Sequence, residues 1–169
     1  MIKKIITICL ILIPIKAYGL IEVDITRGNL NPLPIAVSPL SIDNESKQNF
    51  EKILKKKNIG LEISSVIENN LKISGLFNPL NKDAFLQAPD IANLKPRFED
   101  WNLIKAQALI TGKVSFVNEK LRVEFRLWDV LAGKEMMALA FTTVPNNWRR
   151  VGHIITDKVY ERLTGEKGY

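Results

Sequence analysis

The sequence predicts an α/β domain in which a mixed sheet of about five strands is flanked by helices. Residues 108–144 contain three consecutive segments in which apolar and polar side chains alternate, joined by connectors short enough for hairpins. Apolar residues also recur at helical spacing in residues 58–74 and 148–163. A meander with one apolar face must cover that face, so we expect the helix over residues 148–163 to pack on it.

Two earlier segments supply the remaining strands. Residues 33–40 form a short apolar run with prolines near both ends, which favours a buried inner strand over residues 35–37. Residues 20–27 alternate strictly between apolar and polar side chains, and Gly28 ends the pattern. So close to a chain terminus, such a segment is either an edge strand or an extended tail.

Helical segments separate these strands. The helix over residues 58–74 is expected to end at Gly75, and a short helix over residues 97–106 places Trp101 at the margin of the core. Residues 41–57 are polar and charged with few apolar positions. They predict either one or two amphipathic helical turns or an insertion.

The first residues have the pattern of a secretory signal peptide. Lys3 and Lys4 precede an apolar run over residues 5–13, and small residues at 17–19 favour cleavage before Leu20. The apolar run is too short to span a membrane, for which about 20 residues are needed. We therefore expect an exported chain of 150 residues, without membrane insertion once residues 1–19 are removed from the 169.

Charge and composition exclude several classes of protein. The chain is 46% hydrophobic and 25% charged, as in ordinary globular domains and unlike disordered chains. Removing residues 1–19 takes three lysines from the formal charge of +6 and removes Cys9, the one cysteine. The remaining run of lysines at residues 55–57 could contact nucleic acid or anionic lipid. It is better interpreted as a solvated helix end, since an exported protein does not meet nucleic acid.

No arrangement of residues predicts catalysis, a metal or a cofactor. His153 is the one histidine, and with Asp157 it is interpreted as a local pair on a helix surface, because no cysteine or second histidine completes a site. No glycine-rich phosphate loop occurs. The acidic residues in loops and at helix starts are better explained as helix caps and turn residues than as an acid–base pair. These residues are Asp43, Glu45, Asp83, Asp90, Glu99 and Asp100. Trp148, followed by Arg149 and Arg150, is either a core anchor with two surface cations or a contact for a carboxylate partner.

Two stretches are distinctive, residues 71–80 (LKISGLFNPL) and 148–169 (WRRVGHIITDKVYERLTGEKGY). They resemble the TolB amino-terminal domain family of the bacterial Tol-Pal envelope system. Shorter matches at residues 34–37, 109–114 and 127–129 occur in the family's order, so the resemblance runs from Leu20 to the end of the chain.

The resemblance implies a fold similar to the anticodon-binding domains of some tRNA ligases. It also implies a periplasmic adaptor with no enzymatic activity and no cofactor, with roles in outer-membrane integrity, cell division and protein import. In this family the extended N-terminal segment, residues 20–30 here, engages the inner-membrane protein TolA. An alternating strand at a free terminus suits such a contact, because it can add to the edge of a partner's sheet. The residues assigned to that contact are Glu22, Val23, Asp24, Ile25, Thr26 and Arg27.

The sequence departs from the family in one large respect, and residues 41–57 are also longer and richer in lysine than the usual family loop. TolB-like chains continue into a six-bladed β-propeller that carries most contacts to the lipoprotein Pal, whereas residues 31–169 correspond to the α/β domain alone. Pal is therefore expected to bind only if a propeller is supplied separately.

A second hypothesis is a periplasmic carrier of a small apolar ligand, with a cavity lined by Phe116, Phe125 and Trp128. A third, RNA binding through the anticodon-domain likeness, is opposed by the signal peptide.

Overall fold

The computed structural model describes residues 21–23 and 31–167. Within these ranges the chain forms one mixed sheet with helices on both faces. The six strands are β1 (Leu33–Val37), β2 (Ser41–Ile42), β3 (Phe77–Pro79), β4 (Ala108–Val117), β5 (Lys120–Asp129) and β6 (Lys134–Thr143). The five α-helices are α1 (Asn44–Leu54), α2 (Ile59–Ile73), α3 (Pro89–Leu94), α4 (Phe98–Leu103) and α5 (Trp148–Thr164).

The sheet combines a parallel half with an antiparallel half. Its order is β3-β1-β4-β5-β6, and β2 pairs with β4 beyond the end of β1. The pairs β1–β3, β1–β4 and β2–β4 are parallel, whereas β4–β5 and β5–β6 are antiparallel. This confirms the predicted mixed sheet and meander. Four of the six strands were predicted, whereas the short β2 and β3 were not. The fifth predicted strand, over residues 20–27, lies only partly within the described residues, and residues 21–23 add to no strand of the sheet.

The main core lies on the sheet face covered by α2 and α5. Alternate residues of β5 point into it, as the sequence pattern predicts, and α5 is the expected cover of the meander. The two helices approach closely where Gly152 of α5 meets Val66 of α2: a Cβ at Gly152 would lie 2.8 Å from Cγ1 of Val66. Glycine at this position therefore sets how deeply the helices pack.

A smaller core on the opposite sheet face is built around Trp101. Its ring is buried, and its indole N–H donates to Oε1 of Gln87 over 3.0 Å. The same oxygen accepts from the Arg97 backbone N–H, and Nε2 of Gln87 donates to the Lys95 carbonyl, so the buried amide is well satisfied. The remaining members of this core are Ala36, Ala92, Ala106, Leu109 and Val130.

Residues 41–57, for which the sequence allows either helical turns or an insertion, form β2 and α1. Asp43 caps α1 by accepting from the Ser46 backbone N–H over 2.8 Å. The Ser46 hydroxyl in turn accepts from the Phe116 backbone N–H of β4 over 2.8 Å. This chain of hydrogen bonds ties the start of α1 to the sheet, so the segment is an integral part of the fold.

Candidate functional site

The described start of the chain lies against the C-terminal end of α5. The Val23 backbone N–H donates to the Leu163 carbonyl over 2.7 Å, and the Val23 side chain is 5% exposed. Ile21 packs against the main core, whereas Glu22 is exposed. Alternate side chains of this short segment thus point to opposite sides, as in an extended chain.

Only part of the predicted partner-binding segment lies within the described residues. Glu22 and Val23 are placed as above. Asp24, Ile25, Thr26 and Arg27 lie outside the described residues, so their assignment stays a prediction. The six residues therefore remain an untested candidate contact.

A groove of about 590 Å³ opens beside this segment, between β6 and α5. Ile21, Met137 and Leu139 supply its apolar lining. Leu139 pairs with Phe125 across the two strands, so its side chain points to the core side of the sheet. It is nevertheless 39% exposed. The polar rim consists of Glu22, Lys158, Glu161 and Arg162.

The rim carries two cations and two carboxylates, and all of them except Glu22 lie on α5. Lys158 Nζ lies 2.7 Å from an oxygen of Glu161, and this ammonium group holds the pKa of Glu161 below its usual range. Arg162 Nε donates to the Met136 carbonyl over 3.3 Å, which joins α5 to β6. The sequence pattern did not reveal this groove, because Met137 and Leu139 alternate like core residues and their exposure depends on where α5 ends over the sheet.

The single histidine faces a second groove, of about 550 Å³, between α2 and α5. Nδ1 of His153 lies 2.8 Å from the Asn70 amide nitrogen, which also lies 3.4 Å from the Thr156 hydroxyl. Asp157 lines the same groove. The histidine thus links two helices, and the pair predicted with Asp157 is replaced by a contact to Asn70. These groups contain no nucleophile–base pair in hydrogen-bond reach, so they do not form a triad.

Among the basic candidates, Lys56 makes contacts within the domain. Lys56 lies 3.1 Å from Glu62 and over the Trp148 ring, 5.0 Å from its centroid. Trp148 packs against the main core while Arg149 and Arg150 are exposed, which agrees with a core anchor followed by two surface cations. The contact of Lys56 with the indole is a cation–π interaction that covers the exposed side of this anchor.

The cavity predicted for an apolar ligand does not form. Phe125 is 1% exposed in the main core, where it stacks on Phe141, whereas Trp128 packs with Phe98 on the opposite sheet face. Three positions along one strand separate Phe125 from Trp128, so the pleat turns them to opposite sides. Phe116 packs edge-on against Phe50 at 5.3 Å. The predicted cavity was wrong because residues that are close along one strand were assumed to lie on the same face of the sheet.

Neither a metal-binding cluster nor a membrane-spanning helix is present in residues 21–23 and 31–167. No group of three or more histidine, cysteine, aspartate or glutamate side chains there is arranged to hold a metal ion. In the same part of the chain, no helix is long and apolar enough to cross a membrane.

Comparison with known proteins identifies the family. The TolB amino-terminal domain family matches residues 21–136. The Tol-Pal system protein TolB of Pelagibacter ubique (strain HTCC1062) is 81% identical over 169 residues, which cover 100% of this chain and 38% of that relative. The chain thus spans about two fifths of the length of this curated relative.

A solved structure supports the same fold. The crystal structure of TolB from Acinetobacter baumannii superposes with a TM-score of 0.64 at 21% identity, covering 82% of this chain and 30% of that chain. At this identity the likeness concerns the fold alone. With the family match over most of its length and the fold in agreement, the chain belongs to the TolB amino-terminal domain family.

Proposed function

We propose that this chain is a non-enzymatic, periplasmic protein-interaction domain of the Tol-Pal system that links to TolA through residues 20–30. Residues 1–19 would direct its export. The observation that carries the proposal is the way in which the start of this segment is held. One described backbone hydrogen bond, from Val23 to Leu163, and two apolar side chains attach it to the domain.

Such an attachment suits a segment that exchanges partners. Its described residues add to no strand of the sheet, so their release breaks no sheet pairing. Release exposes Ile21 and Val23, which are the apolar side of the alternating pattern. The same side chains then become available to the edge of a partner's sheet, where backbone hydrogen bonds supply affinity and alternate side chains supply specificity.

Docking and partner binding are therefore coupled in this proposal. Because Val23 cannot pack on α5 and on TolA at once, anything that stabilises the docked segment weakens TolA binding by the same factor. A variant that loosens docking without changing the exposed face of the strand should bind TolA more tightly. This coupling gives the docked state a regulatory role.

The test is calorimetric titration of residues 20–169 with the periplasmic C-terminal domain of the matching TolA. We expect binding by the intact domain and none after deletion of residues 20–29, while the thermal unfolding transition of the deletion variant stays cooperative. Charge reversal of Glu22, whose side chain is exposed, is the finer variant. Glu22→Lys should weaken binding without lowering the melting temperature.

The matched control is Glu119→Lys, which makes the same charge change in the exposed turn between β4 and β5. It should bind TolA as the wild type does. Equal affinity of the intact and deleted domains would overturn the TolA proposal.

The cellular roles follow from this link. We propose that the domain contributes to outer-membrane integrity, cell division and protein import as part of the Tol-Pal system. Contact with Pal would require a β-propeller of the kind found in TolB-like chains, which is not part of this domain. Loss of envelope integrity in cells whose TolB lacks residues 20–29, with normal protein levels, is the expected result.

A further inference from the structure

The outer edge of β6 over residues 136–143 has no strand paired to it among the described residues. On its inner side β6 pairs with β5 from Lys134 to Thr143. Apart from the Met136 carbonyl, which accepts from Arg162, the outer side of residues 136–143 offers backbone N–H and C=O groups that point away from the sheet. Such an edge is a template on which another strand can pair.

The two edges of the sheet are protected to different degrees. At the other edge, β3 has three residues and ends at Pro79, so it offers little backbone to a partner. β6 has ten residues. Its two charged residues, Lys134 and Glu135, lie at its N-terminal end. The register shift relative to β5, at Leu127 and Trp128, lies at the same end. No residue from 136 to 143 is charged or is proline.

Side chains on both sides of this edge are suited to an extended peptide. On the core side, Met137 and Leu139 continue into the groove beside α5. Ile21, which belongs to an extended segment of this same chain, already lies in that groove, so it accepts an apolar side chain from an extended backbone. On the other side, Ala138 and Ala140 are small and exposed.

The charges next to the edge cancel. Arg126 of β5 lies 3.2 Å from Glu135, and Arg122 lies 2.9 Å from Glu124. These pairs flank the alanines on the outer sheet face and leave no net charge there for a partner to neutralise. The surface therefore favours uncharged side chains over an acidic or basic peptide.

We propose that the β6 edge binds an extended segment of a partner protein, which adds to the sheet as a further strand. Its alternate apolar side chains enter the groove lined by Met137 and Leu139, and small uncharged side chains lie over Ala138 and Ala140. In this contact the domain receives a strand, whereas in the TolA contact it donates one. The two proposals use different residues and are tested with different partners, although they meet at the groove that Ile21 lines.

The probe is a capped peptide of alternating valine and threonine, added to isotope-labelled residues 20–169. Most of the affinity in strand addition comes from the backbone, so this generic sequence is sufficient. We expect amide resonances of residues 136–143 to shift and their hydrogen exchange to slow. The double variant Ala138→Lys, Ala140→Lys should bind about tenfold more weakly or worse, because lysines on an edge strand oppose pairing.

The control variant Asn69→Lys adds a lysine on the exposed surface of α2 and should keep the wild-type affinity within about twofold. Shifts that map to β6 and disappear in the double lysine variant support the proposal. No shift up to the solubility limit of the peptide, or shifts confined to other strands, overturns it. A dimer seen by sedimentation without peptide, and abolished by the double lysine variant, also overturns it, because the edge then serves a second copy.

Discussion

Two segments pack against α5, and they are held in contrasting ways. Helix α2 contributes a continuous buried stripe that includes Ile63, Ile67 and Leu71. The described start of the chain contributes Ile21 and Val23, joined to α5 by one described backbone hydrogen bond. Both contacts bury apolar side chains. Nevertheless, α2 is a whole secondary-structure element, whereas the described residues 21–23 lie in no helix or strand. We therefore expect the second contact to be lost without loss of the fold.

The largest expected effect is at the helix pair. Ile155 of α5 is 0% exposed in the main core, and Ile155→Ala leaves a cavity that its neighbours fill only in part. We expect the free energy of unfolding to fall by roughly 2–5 kcal/mol, measured by chemical denaturation. The control is Ile73→Ala on α2: this side chain is 82% exposed, and the change should cost no more than about 0.5 kcal/mol. Similar losses for both would contradict the assignment of the core.

A smaller effect is expected where the two helices approach most closely. In a helix free of contacts, glycine to alanine stabilises by about 1 kcal/mol. At Gly152 the new Cβ would lie 2.8 Å from Cγ1 of Val66, so we expect Gly152→Ala to destabilise by about 1–3 kcal/mol instead.

The double variant with Val66→Ala tests the cause. Removing the opposing methyl groups should recover part of the loss, and the two changes should therefore be non-additive in denaturation experiments. Additive losses would mean that the Val66 contact is not responsible.

Much of the fold could be predicted because each long strand has an apolar face, which in β4 and β5 is buried and in β6 is partly exposed. β5 is an example: Leu121, Val123, Phe125 and Leu127 alternate with charged residues, and all four are buried. β2 and β3 were missed because two and three residues are too short to show a period. The groove was missed for another reason. The pattern assigns Met137 and Leu139 to the core face correctly, but it does not reveal that α5 leaves this edge partly open.

A moderate effect is expected at the cap of α1, which is joined to β4 by the hydrogen bond between Ser46 and Phe116. The backbone hydrogen bond from Ser46 is the main cause that lowers the pKa of Asp43. We expect Asp43→Ala to cost about 1 kcal/mol of unfolding free energy at neutral pH, measured by chemical denaturation.

The pH dependence of the unfolding free energy separates the contribution of the Asp43 charge from that of the capping oxygen. Because the pKa of Asp43 is lower in the folded state than in the unfolded chain, the added stability is present above the ordinary value of 3.8 and is lost as the pH falls through the folded value. The gap between the wild type and Asp43→Ala should therefore narrow in acid. Asp43→Asn keeps a capping oxygen and should retain most of the stability without this pH dependence. If the difference in unfolding free energy between the wild type and Asp43→Ala does not change with pH, the charge of Asp43 does not contribute to it.

The smallest effect is expected at Val23, although its side chain is nearly as buried as Ile155. Val23→Ala should lower the global free energy of unfolding by less than about 1 kcal/mol, because a segment that detaches locally limits the loss to its own docking free energy. Hydrogen exchange should show the same difference, with the Val23 amide far less protected than the Ile155 amide. If both amides instead exchange only through global unfolding, the segment is part of the cooperative core. TolA would then have to disrupt that core to bind residues 20–30, and the proposed exchange of partners would not occur in the folded domain.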